Sequence, residues 1–209
     1  MDKYHVGIRI RGFAKKYLRK IRHNLTSEDS EEKYIPHITL IPPFKTNNEE
    51  RLITTFEEVC SNQKELISFS INGFGAFYNP KKIFYAVIEK NPELEKLIEA
   101  FENNLEKNVV YLKEKINPEK EKNLHLTIMQ GIPPKITLTN LNSVGKIEQY
   151  LLRVYLLKNK LILKEYDFAL EELLTREQAK DKEIFQKTIQ AFTEKTGLIP
   201  SPQGFIKIN

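Results

Sequence analysis

The segment "PHITL" at residues 36–40 contains one of only four histidines in the 209-residue chain. A second segment, "HLTI" at residues 125–128, repeats the spacing of histidine and threonine further along the chain. β-Branched and aliphatic residues surround both histidines, and this composition predicts two strands. Alternate residues of a strand point to the same face. Each segment therefore predicts an imidazole and a hydroxyl on one face, with aliphatic side chains behind them.

The repetition of this pattern says more than either copy alone. A single His-x-Thr is a weak signal, because a lone histidine in a strand is usually structural. Coincidence would give two apolar-flanked copies with a probability on the order of one in a thousand or less. Two imidazoles can act as general base and general acid near neutral pH, and two hydroxyls can donate hydrogen bonds to phosphate oxygens. The pair of motifs therefore predicts displacement at phosphorus.

Composition and short motifs exclude several other classes of protein. There is no HExxH, no P-loop and no cluster of cysteines and histidines, so we expect no metal and no cofactor. The single cysteine, Cys60, excludes an intramolecular disulfide, and a reducing, cytoplasmic location is the expectation. The hydrophobic share of 40% and the charged share of 29% are typical of a soluble globular protein. No apolar run approaches the roughly 18 residues that span a bilayer.

Positive charge is concentrated at the amino-terminal end. Residues 1–25 contain eight lysines and arginines against Asp2 alone, within a net charge of +5 for the whole chain. A basic strand and helix would attract a phosphate backbone. The alternative is a solvated, lysine-rich helix face, and the sequence favours neither.

Periodicity predicts an alternation of strands and helices without a regular βαβ rhythm. The order is strand, helix, strand, helix, two strands, helix and strand, followed by a closing hairpin and a terminal helix. Pro42-Pro43 and Pro133-Pro134 are expected to end the two motif strands. The terminal helix should begin after Thr175 and stop at Gly197. This order predicts an α+β fold with largely antiparallel sheets.

The two motifs resemble those of the 2H phosphoesterase superfamily, in particular its 2′-5′ RNA ligase/cyclic phosphodiesterase group. The resemblance covers roughly residues 1–170, through "YHVGIRI", "PHITLIPPF", "INGFGAF", the second motif and the closing hairpin. It implies a two-lobed fold with antiparallel sheets, outer helices and pseudo-twofold symmetry around a central groove. On this basis residues 1–172 would form the bilobal domain and residues 173–209 a C-terminal helical extension.

The resemblance also implies an activity and a set of catalytic residues. The activity is metal-independent phosphodiesterase chemistry on 2′,3′-cyclic phosphate ends of RNA or on nucleotides, giving a 2′-phosphate, or 2′-5′ joining in the reverse sense. His37 and His125 would form the acid–base pair, and Thr39 and Thr127 would bind the phosphate. By analogy His125 is the base that activates water, and His37 is the acid that protonates the departing 3′-oxygen.

Residues that would bind the rest of the substrate are less well defined by the sequence. Lys45 would supply a positive charge, although a loop lysine is more often only solvated. Phe44 and Tyr34 would stack on a base, although an aromatic residue at a strand edge is more often part of the core. Relatives often carry an arginine or an aromatic residue after the second motif, where this chain has "MQG" at residues 129–131. His5 and His23 fit no motif and are interpreted as surface or structural residues.

Two alternatives to an RNA-end phosphodiesterase stay open. One is an RNA-binding module with a non-catalytic groove, which the basic residues 1–25 motivate. The other is a phosphodiesterase for a small cyclic or 2′-5′ linked nucleotide. In each case we expect RNA or a nucleotide as partner, no membrane, and a monomer.

Overall fold

A computed structural model describes residues 2–26, 37–77, 83–106, 109–111, 124–130, 146–201 and 204–207. Within these ranges the chain forms twelve strands and five helices. The strands are β1 Tyr4–Arg9, β2 His37–Lys45, β3 Ser68–Phe77, β4 Ile83–Ile88, β5 Val110–Tyr111, β6 His125–Gln130, β7 Ile147–Tyr150, β8 Arg153–Lys158, β9 Leu161–Asp167, β10 Glu172–Leu174, β11 Leu198–Ser201 and β12 Gly204–Lys207. The helices are α1 Gly12–Thr26, α2 Glu49–Asn62, α3 Pro92–Leu105, α4 Arg176–Lys180 and α5 Lys182–Thr196.

Strands β1 to β10 form one sheet, and every strand pair in the described ranges is antiparallel. The order is β10-β9-β8-β1-β2-β6-β4-β3-β7, with β5 beside β2, while β11 and β12 form a separate hairpin. The predicted α+β class with antiparallel strands is confirmed. The strands are not divided into separate sheets, however, because the two motif strands β2 and β6 are neighbours and join the two sides.

The strand register is equivalent on both sides of this junction. We call β1, β2 and β8 the first half and β3, β4 and β6 the second half. In the first half Ile8 pairs with the central motif residue Ile38, and in the second half Ala86 pairs with Leu126. The outer neighbours β8 and β3 then pair with β1 and β4 in the same antiparallel sense. This correspondence of β2, β1 and β8 with β6, β4 and β3 positions the two motifs alike.

The helices cover the face of the sheet that carries the aliphatic motif residues. Helix α1 contacts β6 and helix α3 contacts β2, so each helix packs across the junction. Their apolar stripes belong to the same buried cluster as Ile38 and Leu126. Helix α3 begins as the sequence predicts, with the Asn91 side chain accepting a hydrogen bond from the Leu94 amide and a proline at the first helical position. The motif histidines point away from this core.

The prediction that Pro42-Pro43 ends the first motif strand is wrong. Strand β2 continues through both prolines to Lys45, and Phe44 pairs with Tyr4 of β1. The register shifts twice just before this point, which is the mark of a bulge. Both prolines are exposed, and a bulged strand tolerates residues that cannot donate a ladder hydrogen bond. Pro133-Pro134 lies outside the described residues.

The terminal region differs from the single predicted helix. Thr175 caps α4, and Gly197, with φ of 68°, ends α5, as predicted. Between these two residues the helix is interrupted at Asp181. Asp181 has extended backbone and its side chain accepts hydrogen bonds from two amides of α5, so it starts a new helix. The hairpin β11–β12 follows, and nothing in the periodicity predicted it. The expected closing hairpin is confirmed as β8–β9, which turns at Asn159 and Lys160 with positive φ.

Buried charges attach α5 to the sheet. Arg153 on β8 is 2% exposed and donates hydrogen bonds to Asp167 on β9 and to Thr188 on α5. The Thr188 hydroxyl also lies 2.6 Å from Asp167 Oδ2. Removing one partner from such a buried pair typically costs about 3–5 kcal/mol, because the other charge stays buried. The segment after β10 is thus firmly docked on the sheet.

Candidate functional site

Four side chains from the two motif strands share one face of the sheet: His37 and Thr39 on β2, and His125 and Thr127 on β6. The strands are joined where Ile38 pairs with Leu126 in antiparallel register. This register sets each motif histidine opposite the threonine of the other strand. Because the two central residues are fully buried, the four motif side chains point to the other face. The imidazoles therefore lie on a diagonal, with α-carbons roughly 7–8 Å apart in standard sheet geometry.

The motif side chains are accessible from solvent. Thr39 is exposed, and His37, His125 and Thr127 are half-buried. The two imidazoles and two hydroxyls stand at the corners of one small rectangle on this face. The hydroxyls are neutral donors, which suits them to the non-bridging oxygens of a phosphate.

A third histidine stands beside the first motif. The ring centroid of His5 on β1 lies 6.4 Å from that of His37 and 5.8 Å from that of Tyr155 on β8, which it meets edge-on. Burial, and after it the charge of His37, lowers the pKa of His5 to about 4. His5 is therefore neutral at physiological pH. Its half-buried ring is compatible with the interpretation of His5 as a structural residue, and the β1–β2 pairing brings it next to the motif.

Gly7 on β1 has no side chain to fill the space next to these rings. It pairs with Thr39 of β2 on one side and with Tyr155 of β8 on the other. A Cβ at Gly7 would lie 2.5 Å from the Tyr155 hydroxyl oxygen and 2.6 Å from the Ile38 carbonyl oxygen. Only glycine leaves room for a tyrosine ring to cross β1 toward the motif strand.

Two aromatic side chains, Phe77 and Tyr85, pack beside His125 of the second motif. The rings of Phe77 and Tyr85 stack with centroids 4.3 Å apart. Both meet the His125 ring at steep angles, with centroids at 5.2 Å and 5.3 Å. The Tyr85 ring lies over Gly75, where a Cβ would come within 2.5 Å of it. Phe77 is 36% exposed, so its ring offers an open apolar surface beside His125.

The first motif has a cation as its neighbour. Arg9 on β1 pairs with His37 on β2, so the two side chains leave the sheet on the same face. Arg9 is half-buried. The Arg9 side chain thus adds a permanent positive charge next to His37 on this face.

The residues predicted to bind the rest of the substrate are placed elsewhere. Phe44 is fully buried and stacks on Tyr4 with centroids 6.0 Å apart, so it belongs to the core and cannot stack on a base. Lys45 ends β2, six residues beyond Thr39, which is about 20 Å along an extended strand. Tyr34 lies outside the described residues. The structure brings neither Phe44 nor Lys45 next to the motifs.

The sequence held a signal for part of what was missed. Alternation in "YHVGIRI" sets His5, Gly7 and Arg9 on one face of β1, and only the pairing of β1 with β2 makes that face part of the site. Phe77 and Tyr85 come from two strands whose register depends on a bulge near Gly73, where φ is 83°. Periodicity alone does not give that register.

Comparisons with known proteins agree with this architecture. Residues 12–158, more than half of the chain, match a model of the 2′-5′ RNA ligase superfamily. Among solved structures, the crystal structure of TT0787 of Thermus thermophilus is similar, with a TM-score of 0.54 and 13% identity. The match covers 79% of this chain and 97% of TT0787, and at this identity it shows the fold alone. None of the curated proteins matches the chain.

An antiparallel α+β fold that sets two His-x-Thr strands side by side defines the class of 2H phosphoesterases. The chain belongs to the 2′-5′ RNA ligase superfamily. Membership supports an activity of the phosphodiesterase or ligase type. Among the described residues no group of three His, Cys, Asp or Glu side chains is placed to hold a metal ion. No helix in these ranges is long and apolar enough to cross a membrane.

Proposed function

We propose that the protein opens 2′,3′-cyclic phosphates at RNA ends or on nucleotides and leaves a 2′-phosphate. One observation carries the proposal, namely the pairing of Ile38 with Leu126, which gathers both imidazoles and both hydroxyls on one accessible face. Membership of the 2′-5′ RNA ligase superfamily supports the same class of chemistry.

The reaction follows from the chemistry of the four groups. One imidazole takes a proton from water as the water oxygen bonds to phosphorus. The bond from phosphorus to the 3′-oxygen breaks, and the second imidazole gives that oxygen its proton. Thr39 and Thr127 donate hydrogen bonds to the non-bridging oxygens, where negative charge grows. The product keeps the phosphate on the 2′-oxygen.

We assign His125 as the base and His37 as the acid, and the reverse reaction exchanges these roles. With a 5′-hydroxyl in place of water, the same displacement makes a 2′-5′ linkage, which is RNA ligation. The imidazoles move both protons and the hydroxyls bind the phosphate, so no step is assigned to a metal ion.

The proposal extends to the context of the site. We infer that the protein acts as a monomer in the cytoplasm, and its one cysteine, Cys60, is buried and unpaired, in keeping with a reducing compartment. We also propose that residues 1–172 form the catalytic domain and residues 173–209 an extension of it. A gel-filtration volume of a dimer would contradict the monomer, and loss of turnover in a folded chain lacking residues 173–209 would contradict the division.

Hydrolysis of a nucleoside 2′,3′-cyclic phosphate in the presence of EDTA tests the function. We expect turnover with a bell-shaped pH profile, and a loss of roughly 100-fold or more in His37→Ala and in His125→Ala. The double variant should lose little more than the worse single variant, because the pair acts as a unit. His23→Ala, at an exposed histidine outside the site, is the matched control.

Full activity in His125→Ala would contradict the catalytic proposal. If wild type binds RNA but turns over neither cyclic nucleotides nor RNA ends, the protein is instead an RNA-binding module. Binding would then be indifferent to both histidines and sensitive to salt.

A further inference from the structure

A cleft opens at the end of β1, where the chain leaves the sheet. The start of α1, helix α5 and the hairpin β11–β12 surround it, and the connection from β7 to β8 passes along it. Its volume is about 280 Å³, close to the lower end of the roughly 300–1,000 Å³ that is typical of ligand pockets. We call this space the terminal cleft. Its size suits a small molecule.

The walls of the terminal cleft are mostly apolar. Aromatic rings from four elements line it, namely Phe13 on α1, Phe69 on β3, Phe185 on α5 and Phe205 on β12. Phe69 is buried, and the other three rings are half-buried. Half-buried rings around a concave space keep apolar surface that a ligand can cover. The cleft therefore suits a ligand with a flat, apolar body.

The charged residues that line the terminal cleft are all arginines. They are Arg9, Arg11 and Arg153, and within the described part of the chain no Asp or Glu lines the cleft. Arg11 is paired with Glu165, and Arg153 is paired with Asp167, so these two charges are balanced inside the fold. Arg9 forms no ion pair with a carboxylate of the described residues. One positive charge therefore stays unbalanced at the cleft, and it favours an anion.

Arg11 adds a hydrogen-bond donor that the fold does not use. Its Nη2 donates to Glu165 at 2.9 Å, whereas its Nε is buried and has no partner among the described residues. Burial lowers the pKa of Arg11 despite the attraction of Glu165, and the charges of Arg153 and Arg9 lower it further. Buried N–H groups in folded proteins nearly always have an acceptor. An oxygen of a bound anion would supply that acceptor and balance the excess positive charge.

We propose that the terminal cleft binds a small organic anion, namely a carboxylate on a flat, apolar body. The body lies among the phenylalanine rings. The carboxylate lies beside Arg9 and Arg11 and accepts a hydrogen bond from the Arg11 Nε. Hydrogen bonds between a guanidinium and a carboxylate are stronger than those between neutral groups, so the charge gives the site its selectivity.

The anion site is separate from the motif face. Among the residues that line the cleft there is none of the four motif residues, His37, Thr39, His125 and Thr127. Arg9 is the point of contact between the two places, because it lines the cleft and pairs with His37. Binding to the cleft does not depend on the proposed phosphodiesterase activity.

Isothermal titration calorimetry with naphthoate, a flat aromatic carboxylate, tests the site. Naphthoate should bind at one site with a Kd below about 1 mM. Naphthalenemethanol has the same ring without the charge and should bind about tenfold more weakly, and the cationic naphthylmethylamine should bind more weakly still. Absence of naphthoate binding, or equal binding of all three molecules, would overturn the anion site.

Two pairs of variants locate the bound naphthoate. Arg9→Gln should weaken its binding about tenfold, whereas Arg19→Gln, at an exposed arginine of α1 outside the cleft, should stay within about twofold of wild type. Ile189→Trp fills the cleft from α5 and should abolish binding. Ile184→Trp is the matched control, because Ile184 is a half-buried isoleucine of the same helix that does not line the cleft.

Unchanged binding in Arg9→Gln, or in Ile189→Trp with the circular dichroism of wild type, would overturn the site. If Ile189→Trp does not fold, Arg9→Gln alone decides. His37→Ala/His125→Ala should bind naphthoate as wild type does, since neither histidine lines the cleft. Loss of binding in that double variant would place the anion on the motif face and would overturn a separate site.

Discussion

The two halves of the sheet place the same motif in the same register, yet they surround it with different side chains. In the first half His37 has a neutral imidazole, His5, and a cation, Arg9, as neighbours. In the second half His125 has the stacked rings of Phe77 and Tyr85. The motif histidine and threonine are present in both halves, but the side chains that surround them differ.

Because of this difference, the two sides of the site suit different parts of a substrate. The one charged neighbour on the first side, Arg9, suits a phosphate, and an exposed aromatic ring on the second side suits a base. Glycine and tyrosine also exchange positions between the two halves. In the first half Gly7 is on β1, next to the motif strand, and Tyr155 is on the outer strand β8. In the second half Tyr85 is on β4, next to the motif strand, and Gly75 is on the outer strand β3.

Gly7→Ala and Gly75→Ala should differ most. A Cβ at Gly7 meets a backbone atom, the Ile38 carbonyl oxygen, as well as Tyr155, whereas the three atoms nearest a Cβ at Gly75 all belong to the Tyr85 side chain. We expect Gly7→Ala to lower the free energy of unfolding by about 3 kcal/mol and Gly75→Ala by about 1 kcal/mol. Urea denaturation measures both values.

Replacing the neighbouring tyrosine shows how much of each destabilisation comes from a clash with a side chain and how much from a clash with the backbone. In a double-mutant cycle, Tyr85→Leu should cancel the effect of Gly75→Ala, because the three atoms nearest that Cβ all belong to the Tyr85 ring. Tyr155→Leu should relieve Gly7→Ala only in part, since the Ile38 carbonyl stays in place. Complete relief at both sites would mean that the two halves tolerate the change equally.

Phe77→Ala should weaken substrate binding at the second motif. Stacking of one base on an aromatic side chain is worth about 1–3 kcal/mol, so we expect kcat/KM for a cyclic nucleotide to fall about tenfold. Leu157→Ala is the control, because Leu157 is a half-buried apolar residue that pairs with His5 in the first half. A ribose 2′,3′-cyclic phosphate without a base should respond to neither change. An equal response of both substrates to Phe77→Ala would remove the stacking role.

The fold and the motif residues follow from local pattern. Period-two alternation and aliphatic flanks identify β2 and β6, and a cap followed by proline identifies α3, because these signals involve neighbours in sequence. The break at Asp181 is likewise a local cap, in which the Asp181 side chain accepts hydrogen bonds from two amides of α5. The bulge that carries β2 past Pro42-Pro43, in contrast, depends on the tertiary pairing of β2 with β1. Local propensity cannot contain that information.

The surroundings of the motifs follow from register, which sequence alone does not fix. The sequence suggested that Phe44 is an aromatic residue at a strand edge, but its pairing with Tyr4 beyond the bulge buries its ring in the core. His5 read as an isolated histidine, but its strand pairs beside the first motif. A shift of one residue in the β1–β2 register would turn every side chain of the shifted strand to the other face of the sheet.

His5 should make stability depend on pH in mildly acidic solution. Its pKa is about 4 in the folded protein and about 6.5 when unfolded, so the unfolded chain binds the proton more readily. The stability is complete above pH 6.5 and is lost as the pH falls toward 4. Because the ring is only half-buried, solvent reduces the effect to about 1 kcal/mol between pH 7 and 5. Urea denaturation at both pH values should show that His5→Phe lacks this loss, while the exposed control His23→Gln retains it. The same loss in His5→Phe would mean that other groups cause it.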